Sequence, residues 1–215
     1  MEYKLLAVGT DIEVFWKNPL TGDPVPSLGL LQGSKHNPQE ILKLGKGFTL
    51  HEDNVMPEFG IPPCTNSKDF SDNIEKMLSY LGEIGKNLNL EIDISPVKFF
   101  LPSQLAHPQA QEFGCDPDFC VWTRTKNKVD INSIIATQMR SAAGHIHVSF
   151  EINKKPPTII NVEPLVKLFD LAFLPMLFLD DDVLRRQLYG RAGAFRFKHY
   201  APNVSGVEYR VMSNI

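Results

Sequence analysis

The chain has 215 residues, 43% of them hydrophobic and 22% charged, the size of one domain burying roughly 70% of the surface its unfolded form exposes. A formal charge of −3 and a pI near 6.1 exclude a general electrostatic footprint for nucleic acid or an anionic membrane. The most apolar run, 171–179, is far short of the roughly 20 residues a membrane span needs, so no membrane partner is expected.

The start, Met1-Glu-Tyr-Lys-Leu-Leu, lacks the basic-then-apolar order of a secretory signal. Residues 5–16 read as a strand, with Ile12, Val14 and Trp16 on one face and Asp11, Glu13 and Phe15 on the other. A Pro/Gly-rich loop follows from 18 to 33, then a turn at Gly45-Lys-Gly47, then a second strand over 48–61 interrupted or bulged near 54–57. Asn66 or Ser67 opens a helix whose Phe70, Ile74, Met77, Leu78, Leu81 and Ile84 form an apolar stripe. Residues 90–94 alternate as a strand, 103–118 are irregular, and 119–123 form a short strand. Gly144 to Ile152 alternates again, His145, His147 and Ser149 against Ile146, Val148 and Phe150. Pro164 is placed as the first residue of a helix running to about Arg186, apolar nearly all round between Leu165 and Leu179, hence buried, and bent at Pro175. Gly206 to Met212 is the last strand. Strands and helices do not alternate strictly, so the expected class is α+β with a largely antiparallel sheet, as one domain over 1–215.

Four strand segments carry polar groups where a sheet face is ordinarily apolar: Asp11-x-Glu13, Glu52-Asp53 with Glu58, His145-x-His147, and Glu208-x-Arg210. A period of two puts each i, i+2 pair on one face. Carboxylates crowded together repel unless a cation neutralises them, and oxygen donors with one histidine suit Mg²⁺ or Mn²⁺. Arg185 to Arg196 adds four arginines and two glycines, a composition suited to phosphate oxygens or to the C-terminal end of a helix dipole. Neither Gly-x-x-x-x-Gly-Lys-Ser/Thr nor Gly-x-Gly-x-x-Gly occurs. Cys115 and Cys120 are too few for a zinc knuckle. The odd count of three cysteines suits a reducing compartment.

The order of motifs resembles a known family. Gly9-Thr-Asp-Ile-Glu-Val-Phe15, Glu52-Asp-Asn-Val-Met-Pro-Glu-Phe-Gly-Ile-Pro-Pro63, Phe113-Gly-Cys-Asp-Pro-Asp118, Ala143-Gly-His-Ile-His-Val148, Tyr189-Gly-Arg-Ala-Gly-Ala-Phe-Arg196 and Gly206-Val-Glu-Tyr-Arg210 are similar to the phage-type carboxylate–amine ligases, which group with glutamine synthetase and glutamate–cysteine ligase. The resemblance spans 5–213 and implies a glutamine-synthetase-like catalytic fold, a curved antiparallel sheet with helices packed on one face and ATP with divalent ions on the other. It implies Glu13, Glu58, His145 and Glu208 as metal ligands, with Asp11 and Asp53 as further acidic ligands. Strand parity pairs Glu52 with Glu58, whereas the family pattern favours Asp53, which needs a bulge. Arg210 and Arg196 match phosphate-contacting catalytic positions, and Arg191 belongs to the same nucleotide-binding segment. The implied reaction joins a carboxylate to an amine through an acyl phosphate, consuming ATP with Mg²⁺, in the host cytoplasm for a phage protein.

Two positions depart from the pattern. Ala143 stands where a second glycine is expected, and the sequence stops at Ile215 where relatives continue, which raises the expectation of an open site wall or of completion by another subunit. Two other readings stand beside the ligase: a metal-dependent hydrolase using His145 and His147, and a degenerate ligase fold kept as an interaction protein. The acyl and amine substrates are not named by these residues.

Overall fold

The computed structural model describes residues 2–111, 118–127, 137–179 and 183–214. Within them the fold is mixed, built mostly from antiparallel strands with few helices. The strands are β1 (Tyr3–Glu13), β2 (Phe15–Lys17), β3 (Pro24–Val25), β4 (Gln39–Glu40), β5 (Thr49–Asp53), β6 (Met56–Gly60), β7 (Glu91–Asp93), β8 (Val97–Phe99), β9 (Phe119–Cys120), β10 (Thr125–Lys126), β11 (Met139–Ser141), β12 (Gly144–Ile152), β13 (Ala194–Ala201) and β14 (Val204–Tyr209). The helices are α1 (Ser67–Asn87), α2 (Pro108–Gln111), α3 (Ile159–Ala172), α4 (Leu174–Leu179) and α5 (Val183–Leu188). The largest sheet has nine strands in the order β10-β9-β13-β14-β12-β1-β6-β5-β4, flanked by β3-β2-β7 and β11-β8. No described helix is long and apolar enough to cross a membrane.

The alternation in 5–16 becomes two strands rather than one. β1 lies in the large sheet, and after Val14 the chain passes to β2 in the small one. Val14 and Trp16 are buried with Leu50, Phe59, Met77 and Leu81, while Phe15 packs with Met56 and Phe100. α1 begins where the Asn66 side chain accepts the Asp69 N–H at 2.9 Å, satisfying one of the unpaired donors at a helix start. Its apolar stripe then meets the sheet through Met77 and Leu81, both fully buried. Burial of this kind stabilises by about 1.5–3 kcal/mol per side chain.

Three expectations need correction. Residues 48–61 are a hairpin, β5–Asn54-Val55–β6, with Asp53 paired to Met56 and Asn54 at φ 57°. Asparagine tolerates this left-handed backbone, so the chain reverses where a bulge was expected. The helix expected from Pro164 to Arg186 starts earlier and is broken. Thr158 precedes it with its N–H on the Asn161 side chain at 2.9 Å, Pro164 lies inside α3, and α3 ends at Ala172 before the separate α4 and α5. Nor is this region buried all round: Ile160, Leu168 and Leu171 are exposed, while Val162 and Val166 pack with Val148, Val207 and Tyr209. Finally, the arginine-rich segment ends in a strand, since Arg196 belongs to β13, hairpinned onto β14.

Buried polar pins join these layers. Asp170 of α3 accepts Trp122 Nε1 at 2.5 Å, Tyr209 Oη at 2.8 Å and the Gly193 N–H at 3.1 Å. Arg185 of α5 donates Nε to the Ala142 carbonyl, Nη1 to Val211 and Nη2 to Met212, at 2.9, 2.9 and 2.6 Å. It fixes the stretch after β14, where regular strand pairing has ended.

Candidate metal and anion site

Register decides which side chains meet. Glu13 of β1 is paired with Glu58 of β6, and Glu58 with His51 of β5, so one row crosses three strands. Asp11 is paired with His145, His147 with Glu208, and Glu208 with Arg196. Directly paired residues share a face, as do residues two apart along a strand. One face of the nine-stranded sheet therefore carries Asp11, Glu13, Asp53, Glu58, His145, His147, Glu208 and Arg196.

On that face the charges sort into two groups. Glu13, Asp53 and Glu58 each offer a carboxylate oxygen within 4.8 Å of the others. Glu13 is buried and its Oε2 accepts the Ala143 N–H at 2.7 Å; Asp53 has Lys35 Nζ at 3.3 Å. Burial, with the negative charges of Asp11 and Asp53, pushes the Glu58 carboxyl up, against the opposing pull of His51, whose Nε2 lies 3.5 Å away. The hairpin explains why Asp53 belongs here. Reversal at Asn54 puts Asp53 and His51 on the face of Glu58 and turns Glu52 away, opposite Pro57. Glu52 instead accepts the Leu30 and Leu31 N–H groups, both at 2.9 Å, anchoring the loop.

The second group surrounds Glu208, which is almost fully buried. Arg210 Nη1 bonds its Oε1, Arg196 Nη1 lies 3.4 Å from the same oxygen, and Lys198 Nζ lies 3.3 Å from Oε2. Burial acts to raise the Glu208 carboxyl, but Arg210 foremost, with Arg196, holds it far below the usual range. Three cations approach this one carboxylate, and guanidinium and ammonium groups are the donors that suit phosphate oxygens. His145 Nδ1 lies 3.7 Å from Glu208; burial first and Arg210 second hold its pKa well below 6.5, so it is neutral, the form that ligates metal. Arg210 Nε also reaches Asp118 at 3.4 Å.

Asp11 stands apart from the three-carboxylate cluster. Its Oδ2 is 2.8 Å from His147 Nε2, and His147 Nδ1 is 3.1 Å from Tyr200 Oη. Arg191 is exposed and donates to the Gln187 carbonyl at 3.2 Å, beside the end of α5. Cys115 lies outside the described residues; Cys120 is buried and forms no disulfide. His51, Lys198, Tyr200 and Arg140 join the site without having been singled out in the sequence. For Lys198 a signal existed, since Phe195-Arg-Phe-Lys198 alternates as a strand.

Two concavities flank these groups. A narrow cleft of about 60 Å³ is lined by Glu13, Asp53, Arg140, His145 and Arg210, touching both charge groups. A wider groove of about 520 Å³ is lined by Gly9, Asp11, His147, Ser149, Lys198 and Tyr200. The cleft has room for an ion and its water; the groove has the volume of an ordinary small-molecule site. The donor set fits a hard divalent cation. It has three carboxylates and a nearby neutral imidazole, with no cysteine, and Mg²⁺ takes oxygens at about 2.1 Å. The chain matches no protein-family model and no curated protein sequence.

Proposed function

We propose that the protein is an ATP- and Mg²⁺- (or Mn²⁺-) dependent carboxylate–amine ligase on a glutamine-synthetase-like sheet, with its helices on the face opposite the carboxylates. One observation carries this reading: Glu13 and Asp53 of the three-carboxylate cluster line one cleft with His145 and Arg210, and Arg210 bonds the buried Glu208 that Arg196 and Lys198 also approach. Metal–triphosphate complexes need this pairing of acidic groups for the metal and guanidinium or ammonium groups for the phosphoryl oxygens.

Glu13, Asp53 and Glu58 would hold one ion, and His145 and Glu208, with Asp11 swung from His147, a second. The ions would neutralise charge on the phosphate oxygens. Arg196, Lys198 and Arg210 stabilise the transferring phosphoryl, Arg191 stands at the rim, and the wider groove takes the nucleoside. A substrate carboxylate oxygen attacks the γ-phosphorus as the bond to the bridging β-phosphate oxygen breaks, releasing ADP. An amine then attacks the acyl carbon, phosphate leaves with the bonding pair, and the amine proton passes to solvent. The product is an amide or peptide. The hydrolase reading fits less well, because His147 is absent from the cleft that Glu13, Asp53 and His145 line and from the carboxylate cluster.

The test is ADP release with Mg²⁺ across carboxylates and amines, with product masses, beside Glu58→Gln. Substrate-stimulated release lost in the variant, with a product one water lighter than its two precursors, supports the ligase. Tight metal binding without nucleotide binding would falsify it.

A further inference from the structure

The acidic cluster has a neighbour whose burial has no evident structural purpose. His51 is 7% exposed on β5, directly opposite Glu58. Its Nδ1 is buried without a hydrogen-bond partner among the described residues, and its Nε2 faces Glu58 Oε2 at 3.5 Å. A leucine or phenylalanine there would fill the layer without stranding a polar nitrogen, and stranded polar groups are unfavourable in an interior. Among the described residues the ring serves no cap, turn or backbone carbonyl. Its one ion-pair contact among the described residues is Glu58.

We propose that His51 is a positioning residue for the metal centre. It holds Oε2 of Glu58, so that the carboxylate stays in place beside Glu13 and Asp53. This inference rests on the metal-centre part of the ligase reading. Without such a partner, Glu58 faces two like charges and turns away from them. With it, the row His51–Glu58–Glu13 has a fixed order: donor, bridging carboxylate, opposing carboxylate. His51 itself stays out of the coordination shell: the ligand atoms that lie within 4.8 Å of one another are those of Glu13, Asp53 and Glu58, without a His51 nitrogen. Residues that orient a metal ligand through its second atom ordinarily contribute ten- to a hundredfold in metal affinity.

The test is Mn²⁺ titration of the full chain, free ion being followed by electron paramagnetic resonance, with pulsed measurements of nitrogen coupling on the bound ion. The wild type should bind Mn²⁺ and Glu13→Gln should not. His51→Leu and His51→Asn, the latter an amide too short to reach Glu58, should each weaken binding about ten- to a hundredfold. His51→Gln, whose amide nitrogen reaches the place of Nε2, should restore most of it. Wild-type affinity in both His51→Asn and His51→Leu overturns the positioning role while leaving the metal centre standing. A nitrogen coupling present in the wild type and lost in His51→Gln overturns it too, by making His51 a ligand. Absence of wild-type binding, or binding that survives Glu13→Gln, removes the metal-centre reading and this inference together.

Discussion

Glu13 and Glu58 face each other across β1 and β6 as a directly paired couple, and Asp53 brings a third carboxylate oxygen within 4.8 Å of both. Like charges opposite each other in a sheet oppose folding by roughly 0.2–1 kcal/mol, and burial sharpens the repulsion. Glu13→Gln should therefore raise the melting temperature of the metal-free protein by a few degrees and abolish any further rise on adding Mg²⁺ or Mn²⁺. Thermal denaturation with and without metal checks both halves. A variant that loses stability without metal, or still responds to it, contradicts the assignment.

Lys198 is placed to test the anion side. Its Nζ lies 3.3 Å from Glu208 and it lines the wider groove. Removing one charge-assisted contact costs about 1.5 kcal/mol, roughly tenfold in affinity. Lys198→Met should weaken a nonhydrolysable ATP analogue by that factor in calorimetry, with the ion at Glu13, Asp53 and Glu58 unaffected in the analogue's absence.

Asp170 tests the architecture independently of any ligand. It accepts three hydrogen bonds and presents Oδ2 to Trp122 Nε1. Asp170→Asn can keep Oδ1 on Tyr209 and Gly193 but sets an amide N–H against the indole N–H. Trp122 is half exposed, so the loss is that of one hydrogen bond, about 1 kcal/mol. Urea denaturation followed by tryptophan fluorescence should show a lower midpoint of that size.

Asp93 gives a pH dependence with a definite sign. Burial acts to raise its carboxyl, but Lys98 Nζ at 2.7 Å, with the Ser95 hydroxyl and N–H at 2.5 and 2.8 Å, holds it below its ordinary value. A depressed carboxyl contributes stability that is complete above the unfolded value near pH 4 and is lost as pH falls through the folded value. Asp93→Asn should therefore be less stable than the wild type at pH 6, and the two should converge towards pH 2. Melting temperatures across that range decide it.

Gly190 sits at φ +72°, where an added Cβ would collide with the Arg185 guanidinium. Gly190→Ala should cost about 1–3 kcal/mol, from backbone strain alone at the least, measurable as a lower denaturation midpoint.

Much of this was legible from spacing. The α1 stripe at 70–84 and the alternation of 144–152 translate directly into α1 and β12, because local periodicity and tertiary burial agree there. The polar pairs on β1, β12 and β14 land on one face for the same reason. What failed had a specific cause in each case. Asn54-Val55 lacks the glycine that advertises a hairpin, so the reversal that swaps Glu52 for Asp53 and brings in His51 was invisible. Pro164 imitated a helix start, whereas Thr158 and Asn161 set the real one. The four arginines drew attention from the Phe195–Lys198 alternation. Which cations would gather around Glu208 depended on the β13–β14 pairing, a tertiary fact.

The Ala142 carbonyl that receives Arg185 Nε and the Ala143 N–H that donates to Glu13 Oε2 are the two ends of a single peptide plane. A guanidinium drawing on the oxygen makes the N–H a stronger donor, since hydrogen bonds in series polarise one another. Arg185 therefore reaches Glu13 through an amide, with no ion pair between them. A flip of that one unit would take an acceptor from the cation and a donor from the carboxylate together. The element that anchors the chain after β14 and the element that aims an acidic side chain are thus the same rigid plate, mechanically as well as electrically.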